Sequence, residues 1–229
     1  MSYWTRFHRF NAVHGVYGVV LMSLLAAALL WGRFELANNR TFLFLAYNLV
    51  LAWIPYALSL VARIVEPIPI LRLLLLPLMP VWLLFFPNAP YLVTDFVHLH
   101  ERIPVPLWYD VGLLAVFASA GLILGLTSLS HMDAVVHRFL GGFVASVFVL
   151  GTTVLAGLGI YLGRFLRWNS WDILYHPQNL LGDVLHRLAV PTEHLGTWGV
   201  TGVFGLLFLI WYIAFSMRRN VSQCTQASS

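Results

Sequence analysis

The chain has 229 residues, of which 60% are hydrophobic and 10% charged, and its mean hydropathy is +0.81. So little polar surface cannot cover a water-soluble globule, and a bilayer is the solvent this composition suits. The formal net charge of +4 comes from thirteen arginines and no lysine, set singly or in pairs at the ends of apolar runs; that pattern suits membrane anchoring and lacks the basic stripe that nucleic acid requires.

The expected fold is all-α: a polytopic transmembrane helix bundle of about six spans with one short interfacial amphipathic helix. Residues 1–220 form a single transmembrane domain, and 221–229 a disordered polar tail that holds the lone cysteine, Cys224, so no intrachain disulfide can form. A helix needs about 20 apolar residues to cross roughly 30 Å of hydrocarbon. Six segments meet this: Val13 to Gly32, Phe42 to Ala62, Ile68 to Phe86, Trp108 to Leu129, Phe139 to Leu162 and Thr197 to Met217. The first, preceded by Arg6 and Arg9, is longer than a usual signal core and reads as a retained span. In the third, Arg72 must snorkel from the first turn, while Pro77 and Pro80 predict a kink.

Small residues at four-residue spacing, Gly121 and Gly125, Gly142 and Ser146, Gly159 and Gly163, predict close helix approaches. Gly157, Gly159 and Gly163 lie within an apolar span with no preceding strand, which argues against a nucleotide loop. Alternation over six spans puts Arg6, Arg9, Arg63, Arg72, Arg138, Arg218 and Arg219 on one face and six arginines on the other, a narrow excess that favours cytoplasmic termini. His131, Asp133 and His137 read as a polar turn on the first face. Between the fifth and sixth spans, Leu180, Leu181, Val184, Leu185 and Leu188 share a helical face, the pattern of a helix lying on the membrane surface.

Two connections carry the polar chemistry. After the third span the chain reads Phe86-Pro87-Asn88-Ala89-Pro90-Tyr91, then Thr94-Asp95 and His98-Leu99-His100-Glu101, and returns through Trp108-Tyr109-Asp110. The two prolines are expected to stop the span, and helical turns beyond them would bring Asp95 and His98 to one face. With Asp110 nearby, these residues offer a carboxylate and an imidazole for acid-base work, or ligands for a divalent metal, or merely a solvated loop. After the fifth span, Arg164 and Arg167 lie three apart and could hold one anion. They could equally pair with the acids or anchor the span beside Trp168 and Trp171. Asn169 and Asp172 have the spacing of a helix cap and its third helical position, so they can serve a ligand or only start a helix. Because two spans separate the connections, both emerge on one face, where Asp95, His98 and Asp110 can meet Arg164, Arg167 and Asp172.

These same strings, Phe86 to Tyr91 with Thr94-Asp95 and His98, Trp108-Tyr109-Asp110, and Gly163-Arg164-Phe165 with Arg167 to Asp172, resemble a bacterial family of multi-pass membrane proteins known as the domain of unknown function 1361 family. The resemblance implies a bacterial cytoplasmic-membrane location and no established activity, and assigns no residue a role. The expectations are therefore a membrane-embedded enzyme or binding protein for an anionic amphiphilic or lipid-linked ligand, a small transporter or channel, or a non-catalytic partner of another membrane protein.

Overall fold

The computed structural model describes the backbone of residues 14–227, with Trp4, Thr5, His8 and Asn11 before them, and side chains as far as Met217. Val13, Arg6 and Arg9, and the side chains of Arg218 and Arg219, lie outside the described residues. Helix α1 (Val16–Ala37) ends where Asn38 turns left-handed (φ 45°) and its N–H returns to the Phe34 carbonyl at 2.8 Å, a common way to close a helix. The Asn39 side chain then accepts from the Thr41 hydroxyl at 2.8 Å and starts the entry to α2 (Leu43–Val65).

The third span begins as a 3-10 turn over Pro69–Leu74 and becomes α3 (Leu75–Phe85). The α-helix ends at Phe85, with Phe86 and Pro87 in a turn, as the two prolines predict, but the chain does not leave the bundle there. The chain continues through a single turn, α4 (Asn88–Tyr91), and a 3-10 segment, Leu92–His98. Pro87 and Pro90 fall where a new turn begins, and there the missing N–H costs nothing because first-turn donors have no intrahelical partner.

The next helix runs Leu107–Phe165 over 59 residues and is broken at Gly141 (φ 83°, ψ 171°), which divides it into α5 (107–140) and α6 (142–165). Unbroken, it would extend about 88 Å at 1.5 Å per residue, nearly three times the roughly 30 Å of hydrocarbon. The break lets it cross twice. Among the described residues five helices are long and apolar enough to span, and this division supplies the sixth crossing. The predicted turn at His131, Asp133 and His137 is corrected by this geometry: all three are helical, and the break falls at Gly141 instead. No glycine or proline lies between 129 and 139 to end the helix, and the polar groups find partners within the bundle. His131 is buried, with Nδ1 3.0 Å from the Ser59 hydroxyl and Nε2 3.0 Å from His14, and Asp133 accepts from Tyr212 at 2.6 Å.

Beyond α6 come α7 (Asp172–Tyr175), the amphipathic α8 (Pro177–Ala189), a 3-10 turn (Pro191–His194) and α9 (Leu195–Ala227). The backbone over 221–227, where the sequence suggests a disordered tail, continues α9; that stretch holds neither glycine nor proline to end it. The described residues are thus an all-helical bundle. Its core has two parts, one around Ala26, Tyr56 and Phe117 between α1, α2 and α5, the other around Trp82, Met132 and Phe208 between α3, α5, α6 and α9. A hydrogen-bond chain joins the halves: Trp82 Nε1 donates to Ser128 at 2.8 Å, and Ser128 donates to the Pro55 carbonyl at 2.9 Å.

Small residues set how closely α6 and α9 pack. A methyl group on Gly157 would overlap the Thr201 carbonyl oxygen and lie 2.9 Å from Gly205 N, whereas one on Gly151 would meet nothing within 4 Å. Gly157→Ala is therefore expected to destabilise the protein by about 1–3 kcal/mol, the usual cost of overpacking, while Gly151→Ala leaves thermal unfolding in detergent unchanged or slightly raised. Equal melting temperatures for the two variants would contradict this packing.

Candidate functional site

The turn around Pro87, Asn88, Ala89 and Tyr91 is wedged between α5 and α6 because four glycines make room for it. An added Cβ would lie 2.5 Å from the Ala89 carbonyl at Gly121 and 3.3 Å from the Ala89 methyl at Gly125. On the other side it would lie 2.6 Å from Pro87 at Gly159 and 3.2 Å from the Tyr91 ring at Gly163. Two of the three pairs noted in the sequence thus receive this turn, in the manner that small residues admit close backbone approach, whereas Gly142 and Ser146 are exposed and a Cβ on Gly142 would meet only the His137 ring, at 3.3 Å.

Held there, the 3-10 segment that follows places Thr94, Asp95 and His98 against Arg164 in the last turn of α6. Three residues per turn bring Asp95 and His98 to one side. Arg164 spreads its guanidinium across all three: Nη2 bonds to Asp95 Oδ1, Nη2 and Nε lie 2.7 and 3.1 Å from Thr94 Oγ1, and Nη1 lies 3.0 Å from His98 Nε2. The Thr94 hydroxyl spends its own proton on the Tyr91 carbonyl at 2.7 Å, so toward Arg164 it only accepts. A guanidinium has donors alone, so His98 Nε2 accepts and the ring carries its proton on Nδ1. Asn48 of α2 donates to the second Asp95 oxygen at 3.1 Å, and the Tyr91 ring lies 4.5 Å beneath the guanidinium carbon. Asp95 is 1% exposed and Arg164 16%. Every strong charge in the cluster is thereby matched, as burial requires.

The remaining predicted residues lie elsewhere. Asp110 faces Arg33 of α1, with Nε 2.7 Å from Oδ1 and Nη2 3.2 Å from Oδ2, both residues fully buried and the guanidinium 4.4 Å over the Phe42 ring. It does not reach Arg164's cluster. Arg167 is exposed and left-handed (φ 61°), and through it the chain turns away from α6, with Trp168 N–H on the Leu162 carbonyl at 3.1 Å. Asp172 Oδ2 accepts from the Asn169 N–H at 2.6 Å and from its side-chain amide at 3.3 Å, closing the turn before α7, of which Asp172 is the first residue and not the third. Among the described residues no three histidines, cysteines or acids gather to hold a metal ion. Asp95 and His98 instead share the guanidinium of Arg164.

Beside this cluster lies a cavity of about 460 Å³. Its walls are apolar, with Leu51 of α2, Pro80 and Leu84 of α3, and Leu155, Leu158 and Leu162 of α6. Asn48, Asn88, Tyr91, Trp168, Asn169 and Ser170 make it polar at one end, and Leu180 and Val184 of α8 cover that end. The cover is tied down by Asn88 Nδ2 donating to Ser170 Oγ at 2.9 Å, Ser170 donating to the Leu84 carbonyl at 3.2 Å, and Trp168 Nε1 donating to Asp183 at 2.8 Å. Leu181, Leu185 and Leu188 of α8 face outward and are exposed, as a helix at the bilayer surface requires.

Sequence reasoning passed over Asn48, Thr94 and Tyr91 as parts of the site. Asn48 carried a usable signal, since a lone amide in an apolar span must find a partner.

The bundle, its long apolar helices and the interfacial cavity define a multi-pass helical membrane protein. The family described as "Protein of unknown function (DUF1361)" matches residues 47–211, more than two thirds of the chain, and the chain belongs to it. Comparison with curated proteins and with solved structures gave no match. The matched range takes in the cavity walls, Asp95, Arg164 and α8, but begins after α1 and Arg33.

Proposed function

We propose that this protein binds an amphiphilic, lipid-linked molecule at one membrane face, its apolar chain lying between α2, α3 and α6 and its polar, anionic head at the covered end. The observation that carries this reading is the cavity itself: apolar walls, one polar end and a surface helix as its cover. A ligand pocket is expected to be mainly apolar with a few placed polar groups. The cavity lining bears amides, hydroxyls and an indole but no charged side chain, so these neutral groups would hold the head, and an anionic head would have to reach beyond the lining to exposed Arg167, next in the chain to Trp168, for a counter-charge.

Chemistry on the head group is the second reading, and Asn48 favours it. This residue lines the cavity and also holds Asp95, so a head group replacing its amide would meet the Asp95 carboxylate, with His98 on the same guanidinium. Asp95 and His98 would then act as acid and base, and Arg164 would position them.

The test is photo-cross-linking of the protein in nanodiscs with a diazirine-bearing phosphatidic acid. Labelled peptides are expected from α3 and α6. Leu158→Trp, which fills the cavity, should cut specific labelling by about tenfold or more, equivalent to about 1.4 kcal/mol of binding, at unchanged melting temperature. Labelling that is indifferent to Leu158→Trp would overturn the proposal.

A further inference from the structure

On the face opposite the cavity, three arginines gather around one glutamate, two on its carboxylate and one on its backbone carbonyl. Glu66, at the end of α2, is 2% exposed. Its Oε2 lies 2.5 Å from Arg63 Nη1 and its Oε1 3.0 Å from Arg138 Nη1, while its backbone carbonyl accepts from Arg72 Nε at 3.1 Å. The three guanidinium groups come from three elements: the last turn of α2, the 3-10 turn before α3, and the end of α5 just before the Gly141 break. Glu66 neutralises one of them. The group keeps a net charge of +2, because Arg63 and Arg138 share the one carboxylate and Arg72 has no ion pair among the described residues, and Arg138 is 52% exposed.

A helix-anchoring arginine would sit singly in the headgroup layer, whereas here a buried glutamate holds two side chains in fixed positions. Each guanidinium presents five N–H donors in a planar fork, and the contacts above use one apiece. Four donors on each of the three guanidinium groups have no partner in these contacts, and all three groups are tied to the one residue, Glu66. Apolar side chains lie close to them along the chain: Ile70 and Leu73 flank Arg72 and Phe143 follows Arg138 by five residues, all three among the most exposed of the described residues, and the Arg72 guanidinium lies 5.6 Å over the Phe139 ring. Paired cationic groups above an apolar, lipid-facing flank match a phosphodiester carried on acyl chains.

We infer that Arg63, Arg72 and Arg138, arranged around Glu66, form a binding site for the phosphate of an anionic phospholipid. Its role is separate from the cavity, so the site stands whether or not the cavity binds an amphiphile. A soluble phosphate would use the same donors but would gain nothing from Ile70, Leu73 and Phe143.

The test is native mass spectrometry of the detergent-purified protein titrated with phosphatidylglycerol, with phosphatidylcholine, and with inorganic phosphate. Phosphatidylglycerol is expected to be retained over phosphatidylcholine. Arg138→Gln, which leaves Arg63 on Glu66, should lower that retention about fivefold, the worth of one arginine near a charged lipid surface. Glu66→Gln should act in the opposite direction, because it frees both guanidinium groups. Equal retention of the two lipids, or retention unaffected by both substitutions at unchanged melting temperature, would overturn the inference. Binding of inorganic phosphate without enrichment of phosphatidylglycerol would overturn it as well, by assigning the site to a soluble anion.

Discussion

Replacing Arg164 with methionine is expected to destabilise the folded protein by about 3–5 kcal/mol, the cost of leaving one member of a buried pair behind. The reason lies in what stays in place. Asp95 would remain 1% exposed with only the Asn48 amide donating to it, and Thr94 and His98 would each lose the donor they now accept. The double variant Arg164→Met with Asp95→Leu should recover much of the loss, since exchanging a whole buried pair for apolar side chains is often close to neutral. Thermal unfolding in detergent, followed by tryptophan fluorescence, reads both variants. If the double variant is no more stable than the single one, the charge pair is not what holds the 3-10 segment against α6. Comparing the double variant's labelling by the diazirine lipid with that of the native chain then separates a structural pair from a working one: intact labelling with intact folding would remove Asp95 from ligand binding.

Arg33→Met should cost a similar 3–5 kcal/mol by the same physics, yet leave the cavity alone. Asp110 accepts two bonds from Arg33 and lies on α5 beside α1, with no contact to Arg164. The expected outcome is a lower melting temperature together with unaltered specific labelling at a temperature where the variant is still folded. Labelling lost in proportion to that from Arg164→Met would show that Asp110 belongs to the site, as spacing alone suggested. The paired variant Arg33→Met with Asp110→Leu should again recover stability, because neither group is then left uncompensated.

How far the sequence could be read depended on whether neighbours along the chain settled the matter. The amphipathic α8 was legible because its apolar positions recur at helical spacing, and local periodicity suffices to fix such a face. The meeting of Asp95 and His98 with Arg164 was legible from parity, since two spans return the chain to its starting face. Two glycine pairs, Gly121 with Gly125 and Gly159 with Gly163, were legible as close approaches, while Gly142 and Ser146 are exposed and make none. The partner of those two pairs was not, because the turn they receive lies some thirty to seventy residues away in sequence. His131 and Asp133 were misread as a turn because isolated polar residues signal a bend only when they must reach water; inside the bundle, Ser59, His14 and Tyr212 bond them within a continuous helix.

By itself, then, the sequence determined the solvent, the helical class and which polar residues share a membrane face. Those properties follow from composition, span length and alternation, and each is additive along the chain. Tertiary structure alone decided which charges neutralise one another: Arg164 with Asp95, Arg33 with Asp110, and Glu66 shared between Arg63 and Arg138. Ion pairing in a medium of low dielectric depends on a few ångströms of separation, and such distances between remote segments are set by how helices pack. The same holds for the cavity, which exists only because α2, α3 and α6 stand apart beneath α8.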